Sequence, residues 1–202
     1  MTLASNGDGN DGPGEATQVR LKDQGYAVPG FEVAVIGVGN TIRSDDGVGV
    51  HASRMLLSDP RMPAGITVLD GGTLGLQLIP YVADASCLLF LDAIDSGAPP
   101  GTIVRMTEKD FLGMTAGLTV HRLGLADLLA SLALMSKSHQ DIVVLGVCPA
   151  NTDWGTTLSH EVETALGPLL DAALAQLQLW HSQLRNDGPG SSHLSLPAGP
   201  SN

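Results

Sequence analysis

Three aspartates and one histidine stand where apolar segments of this chain end or begin: Asp46, Asp70, Asp92 and His121. Each aspartate follows a run typical of a buried strand, and His121 opens a pattern with helical spacing. Because ligands gather beyond the carboxyl ends of parallel strands, these side chains are expected around one crevice. Two carboxylates and an imidazole with open positions suit a borderline metal such as zinc or nickel. Asp46, Asp92 and His121 are therefore candidate ligands of a metal site.

Each of these residues also has a purely structural interpretation. Asp45 and Asp46 could simply cap the helix that follows them. Asp92 could bond the backbone of the next loop, and a histidine on an apolar face is often a core residue. Residues 37–42 could also form a dinucleotide-binding loop, but the third glycine of that motif is missing and two acids would repel a pyrophosphate. On the residues alone, capping and cation binding stay open.

The composition narrows the class of protein. The 202 residues are 43% hydrophobic and carry a formal net charge of −11, which disfavours nucleic acid and anionic membranes as partners. No apolar run approaches the ~20 residues of a membrane span, and we expect no signal peptide. Cys87 and Cys148 both lie in apolar runs and are interpreted as buried hydrophobic residues. These features together predict a reduced, cytoplasmic protein.

The chain divides into one folded domain and two polar ends. Residues 1–29 and 186–202 are predicted to be disordered, since their glycine-rich polar composition cannot build a core. Residues 30–185 contain no internal repeat and no linker, so we expect a single α/β domain there.

Strand and helix patterns alternate through this domain. Strands are predicted at 33–38, 66–70, 87–92, 102–106 and 141–147, and helices at 47–57, 73–81, 120–135 and 159–184. The link from 92 to 102 is too short for a parallel crossover, so strand 102–106 should be antiparallel at or near a sheet edge. The alternation predicts a three-layer α/β sandwich whose sheet has five strands, mainly parallel, with helices on both faces.

Four motifs, in order, resemble those of the hydrogenase maturation endopeptidases. They are Gly37-Val38-Gly39-Asn40 with Asp45-Asp46-Gly47-Val48-Gly49-Val50, then Leu69-Asp70-Gly71-Gly72-Thr73-Leu74-Gly75, then Asp92-Ala93-Ile94, and finally the run from His121 to Leu129. The resemblance covers about residues 33–175. It implies that Asp46, Asp92 and His121 are the metal-site residues, and Asp70 is added to them as a candidate catalytic residue. Some members carry glutamate at the first position, so Asp46 has a shorter reach.

The resemblance also implies an activity. It is that of a cytoplasmic endopeptidase, aspartic-type and metal-assisted, which removes a C-terminal extension from the large-subunit precursor of a nickel–iron hydrogenase. The substrate would supply the nickel, which the free enzyme would hold only weakly. The expected partner is the precursor, with no nucleic acid or membrane, and the enzyme is expected to be monomeric. Two alternatives remain, a nucleotide-binding Rossmann-like oxidoreductase and a non-catalytic nickel-binding maturation chaperone.

Overall fold

The computed structural model describes residues 17–19, 32–115, 123–135, 139 and 141–186. Within these residues six strands form one sheet: β1 (Thr17–Val19), β2 (Val33–Val38), β3 (Thr67–Gly72), β4 (Cys87–Ala93), β5 (Ile103–Thr107) and β6 (Asp141–Val147). The α-helices described are α1 (Val48–Leu57), α2 (Ile79–Val82), α3 (Glu108–Thr115), α4 (Leu123–Leu134) and α5 (His160–Asn186). Short 3-10 helices, Ser44–Gly47 and Gly75–Leu78, lead into α1 and α2.

The order of the strands creates a crevice beyond the carboxyl ends of the central strands. Their order is β1-β3-β2-β4-β6-β5, and every neighbouring pair is parallel except β5 with β6. The chain runs from β2 to β3 on one side and then returns to β4 on the other side of β2. The direction of winding therefore reverses between β2 and β4, and ligands bind beyond the carboxyl ends of strands at such a point.

Alternate residues of the central strands build two apolar layers. Val35 and Leu89 face a core that α1 and α5 complete, and it includes the buried Trp180. Ile36 and Phe90 face the opposite core, which α2, α3 and α4 cover. Strands covered on both faces read as continuous apolar runs, which is why β2 and β4 lack alternation.

The predicted sandwich is confirmed: all five predicted strands are present, the antiparallel strand β5 lies at the sheet edge, and β1 adds a sixth strand to the described sheet. Two elements were not predicted. Thr17–Val19 pairs with β3, so the expectation of disorder over 1–29 is wrong at these three residues. A strand this short has no readable periodicity and depends on backbone pairing with its neighbour. Helix α3 also escaped prediction, although its Phe111 is buried in the second core.

The rest of the predicted N-terminal disorder lies outside the described residues, as does segment 187–202. Among the helices described, none is both long and apolar enough to cross a membrane.

Candidate active site

The loop after β2 is tied to the loop after β6. The Ser44 N–H donates to the Gly155 carbonyl at 2.9 Å, and the Gly155 N–H donates to the Ile42 carbonyl at 3.1 Å. Gly39 allows the first loop to fold tightly, since its φ is 121° and a side chain there would collide with the Asp46 carbonyl. The two loops therefore form one wall beyond the carboxyl ends of the strands.

Asp45 is the buried centre of this wall. Its carboxylate accepts hydrogen bonds from the backbone N–H groups of Ala150 (2.9 Å), Asn151 (2.9 Å) and Ser159 (2.6 Å), and from the Ser159 hydroxyl (2.8 Å). Burial raises the pKa of Asp45, but these bonds, with Ser159 first among them, favour the charged form and leave its pKa below the ordinary value. We call Asp45 with Ala150, Asn151 and Ser159 the Asp45 anchor.

Asp46, the next residue, points to a different environment. It is half-buried and accepts one hydrogen bond, from the Asn40 N–H at 3.0 Å. Asp92, the next-to-last residue of β4, is also half-buried, and its Oδ1 atom accepts a hydrogen bond from the Ala93 N–H at 2.7 Å. Both carboxylates line the same crevice. The structure thus places two of the three residues predicted for the metal site in the lining of one crevice.

The crevice has a volume of about 770 Å³. Its charged lining consists of Asp46, Asp92, Asp95 and Arg43, and its apolar lining includes Phe111, Met114, Leu125 and Leu128. Acidic groups therefore outnumber basic ones in the described lining. Such a lining favours a metal ion or another positively charged group over an anion.

His121 lies outside the described residues, so the full trio is not assembled within them. Among the residues that the structure does describe, no three His, Cys, Asp or Glu side chains are grouped closely enough to hold a metal ion. The helical face predicted to follow His121 is correct, because Leu125, Leu128 and Leu132 are all buried. Gly124 and Leu125, close to His121 in the chain, line the crevice.

Asp70 is placed differently from the other candidates. Its Oδ2 atom accepts both Nε (3.2 Å) and Nη2 (2.7 Å) of Arg54, in an ion pair that solvent reaches. Asp70 is absent from the crevice lining, whereas Gly72, two residues later, belongs to it. Its catalytic role stays a prediction.

Both cysteines are buried, in agreement with their structural interpretation. Burial, followed by the nearby charge of Asp141, raises the pKa of Cys87 to about 11. Such a thiol is a poor nucleophile near neutral pH. The Cys148 sulfur lies 3.0 Å from the Ser96 hydroxyl oxygen.

Sequence reasoning missed one pair of residues at the rim. Arg43 donates Nε (3.0 Å) and Nη2 (2.9 Å) to the Thr152 carbonyl, and its guanidinium carbon lies 6.0 Å from the centre of the Trp154 ring. The two residues are more than 100 positions apart in sequence, so no local pattern could have paired them. The one available signal was an arginine inside the loop that carries Asp46.

Comparison with known proteins identifies the family. The family model HycI, described as hydrogenase maturation protease, matches residues 50–176. This segment includes Asp92 and His121 and begins four residues after Asp46. The hydrogenase expression/formation protein HupM of Azotobacter chroococcum mcd 1 is 34% identical over 149 residues, which are 72% of this chain and 71% of the relative. The hydrogenase 2 maturation protease of Escherichia coli K12 is 31% identical over 150 residues, covering 73% of this chain and 92% of that protein.

Solved structures agree with the sequence relatives. The hydrogenase maturating endopeptidase HybD from E. coli superposes with a TM-score of 0.69 at 30% identity, covering 74% of this chain and 94% of that one. A [NiFe] hydrogenase maturation protease HybD from Thermococcus kodakarensis, at 24% identity and a TM-score of 0.61, shares the fold. The chain described here belongs to the hydrogenase maturation protease family.

Proposed function

We propose that this protein removes the C-terminal extension of a nickel–iron hydrogenase large-subunit precursor after nickel has been inserted. The observation that carries the proposal is that Asp46 and Asp92 line one crevice at the point where the winding of the sheet reverses. Family membership makes the protein a peptidase of hydrogenase maturation and displaces the nucleotide-binding oxidoreductase alternative. The precursor itself, the cleaved extension and a cytoplasmic location belong to the proposal.

The nickel of the precursor is the element to be recognised, through Asp46, Asp92 and His121. Two carboxylate oxygens and one imidazole nitrogen are donors that a nickel ion accepts, and the acidic lining attracts a cation. Gly124 and Leu125 line the crevice only a few positions after His121, which supports including this residue. The substrate's own ligands would hold the nickel from the other side.

Each crevice carboxylate has a defined task in this proposal. The Asn40 N–H holds Asp46 and the Ala93 N–H holds one oxygen of Asp92, so both reach the substrate already oriented. Preorganised charge is effective in a partly enclosed site because little reorganisation is needed when the substrate binds. Asp70 is proposed as a further catalytic residue, next along the chain to the crevice-lining segment that contains Gly72.

Free enzyme should hold nickel weakly. Two short aspartates and one histidine leave several positions vacant and include no thiolate, so tight binding needs the substrate's donors. We therefore expect the purified protein to be largely metal-free. We also propose that it is monomeric. Tight retention of nickel without any cleavage would instead indicate a maturation chaperone.

The test is cleavage of two forms of one precursor. Purified protein is incubated with nickel-loaded and with nickel-free precursor, and the C-terminus of each product is read by intact mass. The expected result is a shortened product from the nickel-loaded form alone. Efficient cleavage of the nickel-free form would contradict nickel recognition, and cleavage of neither form would contradict the proposed reaction.

A further inference from the structure

A surface at the rim of the crevice has features that the proposed reaction does not use. It consists of Ile42, Arg43 and Trp154, which we call the Arg43–Trp154 rim. Trp154 is 79% exposed and Ile42 is 51% exposed, although both belong to loops that backbone hydrogen bonds join. Single exposed apolar residues are common on protein surfaces. Here two large ones lie on two hydrogen-bonded loops that also contribute residues to the crevice.

We propose that the Arg43–Trp154 rim is a docking surface for the polypeptide of the hydrogenase precursor, and that it positions the substrate independently of its nickel. The inference rests on the proposed function, because it assumes that the precursor is the substrate. Trp154 and Arg43 act as positioning residues, and Asp46 and Asp92 line the crevice that Arg43 also lines.

The geometry of Arg43 supports this role. Donation of Nε and Nη2 to the Thr152 carbonyl fixes the guanidinium, and the Trp154 ring lies beside it. Within the part of the chain that the structure describes, Arg43 forms no salt bridge, although three aspartates line the same crevice. A guanidinium has five N–H donors, so those of Nη1 remain to bind a carbonyl or carboxylate oxygen of a peptide.

The chemistry of the rim favours a polypeptide over other ligands. Tryptophan and arginine are the residue types that most often dominate protein–protein interfaces, because they combine large apolar area with directed hydrogen bonds. A small ligand would need enclosure, whereas the Trp154 ring lies on open surface. A nucleic acid would be repelled by a chain of net charge −11.

The surface is continuous with the crevice. Arg43 and Thr152 themselves line it, and a parallel backbone bridge joins Arg43 to Gly155, next to Trp154. A peptide that entered the crevice from the side of Arg43 and Thr152 would pass the rim before it reached Asp46 and Asp92. Docking at the rim would orient the scissile segment before the nickel is contacted.

The test separates docking from nickel recognition. Binding of full-length protein to nickel-free and to nickel-loaded precursor is measured by biolayer interferometry, and steady-state cleavage is measured with the loaded form. Trp154→Ala should weaken binding of both forms about tenfold and raise KM by the same factor, with kcat nearly unchanged. Trp154→Phe should restore most of the affinity, and Arg43→Lys should raise KM because lysine lacks the planar fork.

A matched control is available on another surface. Leu179 on α5 is a large apolar residue that is 49% exposed and lies outside the crevice lining, so Leu179→Ala should leave binding and KM unchanged. Because Trp154 is so exposed, its truncation should shift the melting temperature by less than about 2 °C. This separates a docking defect from a folding defect.

Three outcomes would overturn the docking proposal. Binding by Trp154→Ala within about twofold of the wild type would show that the rim contributes little. A change of oligomeric state in Trp154→Ala, seen by size exclusion, would assign the rim to contact between two copies of this chain. Equal losses in Leu179→Ala would show a nonspecific effect. If the wild type binds and cleaves both precursor forms alike, nickel recognition fails, while the effect of Trp154→Ala on binding still decides the docking proposal.

Discussion

Asp45 and Asp46 are neighbours in sequence but belong to two contrasting regions of the molecule. The carboxylate of Asp45 is completely buried and accepts four hydrogen bonds, which join the loop after β2 to the loop after β6 and to the start of α5. Asp46 accepts one bond within the described part of the chain and lines the crevice. Identical chemistry thus stabilises the wall in one case and remains available to a substrate in the other.

The contrast teaches how an acidic crevice can be kept open in a stable fold. A carboxylate surrounded by N–H donors is satisfied and chemically inert, whereas one with fewer donors keeps lone pairs for a cation. The Asp45 anchor holds the wall, so the crevice acids need not contribute to stability. Substitutions at the two positions should therefore have opposite consequences.

The largest effect is expected on cleavage. Asp46→Asn and His121→Ala should abolish processing of nickel-loaded precursor, because each removes a donor proposed to bind the nickel. The melting temperature should change little for Asp46→Asn, since the carboxylate accepts a single hydrogen bond from the residues that the structure describes. Product mass and thermal unfolding measure the two quantities.

Cys148→Ala is the control for this experiment. Cys148 is buried against Ser96 and is proposed to have no part in the reaction, so activity should be kept. Full activity in His121→Ala would contradict the metal-site assignment, and inactivity of Cys148→Ala in a folded protein would make this thiol the candidate nucleophile.

The second effect is on stability. Asp45→Asn should lower the free energy of unfolding by about 3 kcal/mol, because the amide group loses the charge and presents donors to backbone N–H groups. Urea denaturation measures the change, with Asp46→Asn as the matched neighbour. A loss below about 1 kcal/mol would show that the Asp45 anchor is not a major stabilising element.

The third effect appears on acidification. Folding lowers the pKa of Asp45, so its stabilising contribution is complete above the unfolded-state value of about 3.9 and is lost as pH falls through the folded-state value. The stability difference between wild type and Asp45→Asn should therefore shrink below about pH 4. Asp59, whose pKa is lowered to about 2 by the hydrogen-bonded Arg61, titrates in both proteins and cancels in the comparison. A difference that stays constant to low pH would contradict the lowered pKa.

The smallest stability effect is expected at Asp70. Its ion pair with Arg54 is exposed to solvent, so Asp70→Asn should cost less than about 1 kcal/mol. Cleavage should nevertheless fall if Asp70 is catalytic, and Arg54→Gln should then retain activity, since it breaks the same ion pair but keeps the acid. Unchanged cleavage by Asp70→Asn would assign the residue to the ion pair alone.

Local sequence patterns predicted the parts of the molecule that depend on neighbours in the chain. The apolar runs of β2 and β4 and the acids beyond them gave both the sheet and the crevice position of Asp46 and Asp92. The short link before β5 correctly placed that strand antiparallel at the edge.

Contacts between distant residues could not be predicted in this way. Asp45 bonds Ser159 across 114 positions, and Arg43 bonds Thr152 across 109. Which of the two adjacent aspartates turns inward depends on distant donors such as Ser159, and no local sequence pattern marks Ser159 as a partner of Asp45. The sequence therefore left capping and cation binding open at Asp45 and Asp46, whereas the structure separates their environments.

The most direct test of nickel recognition observes the metal itself. Nickel X-ray absorption is recorded on loaded precursor alone and on its freeze-quenched complex with this protein, using wild type and His121→Ala. Binding of wild type should add oxygen and nitrogen neighbours to the nickel, and the variant should add fewer. An identical nickel spectrum with and without the bound wild-type protein would contradict recognition through Asp46, Asp92 and His121.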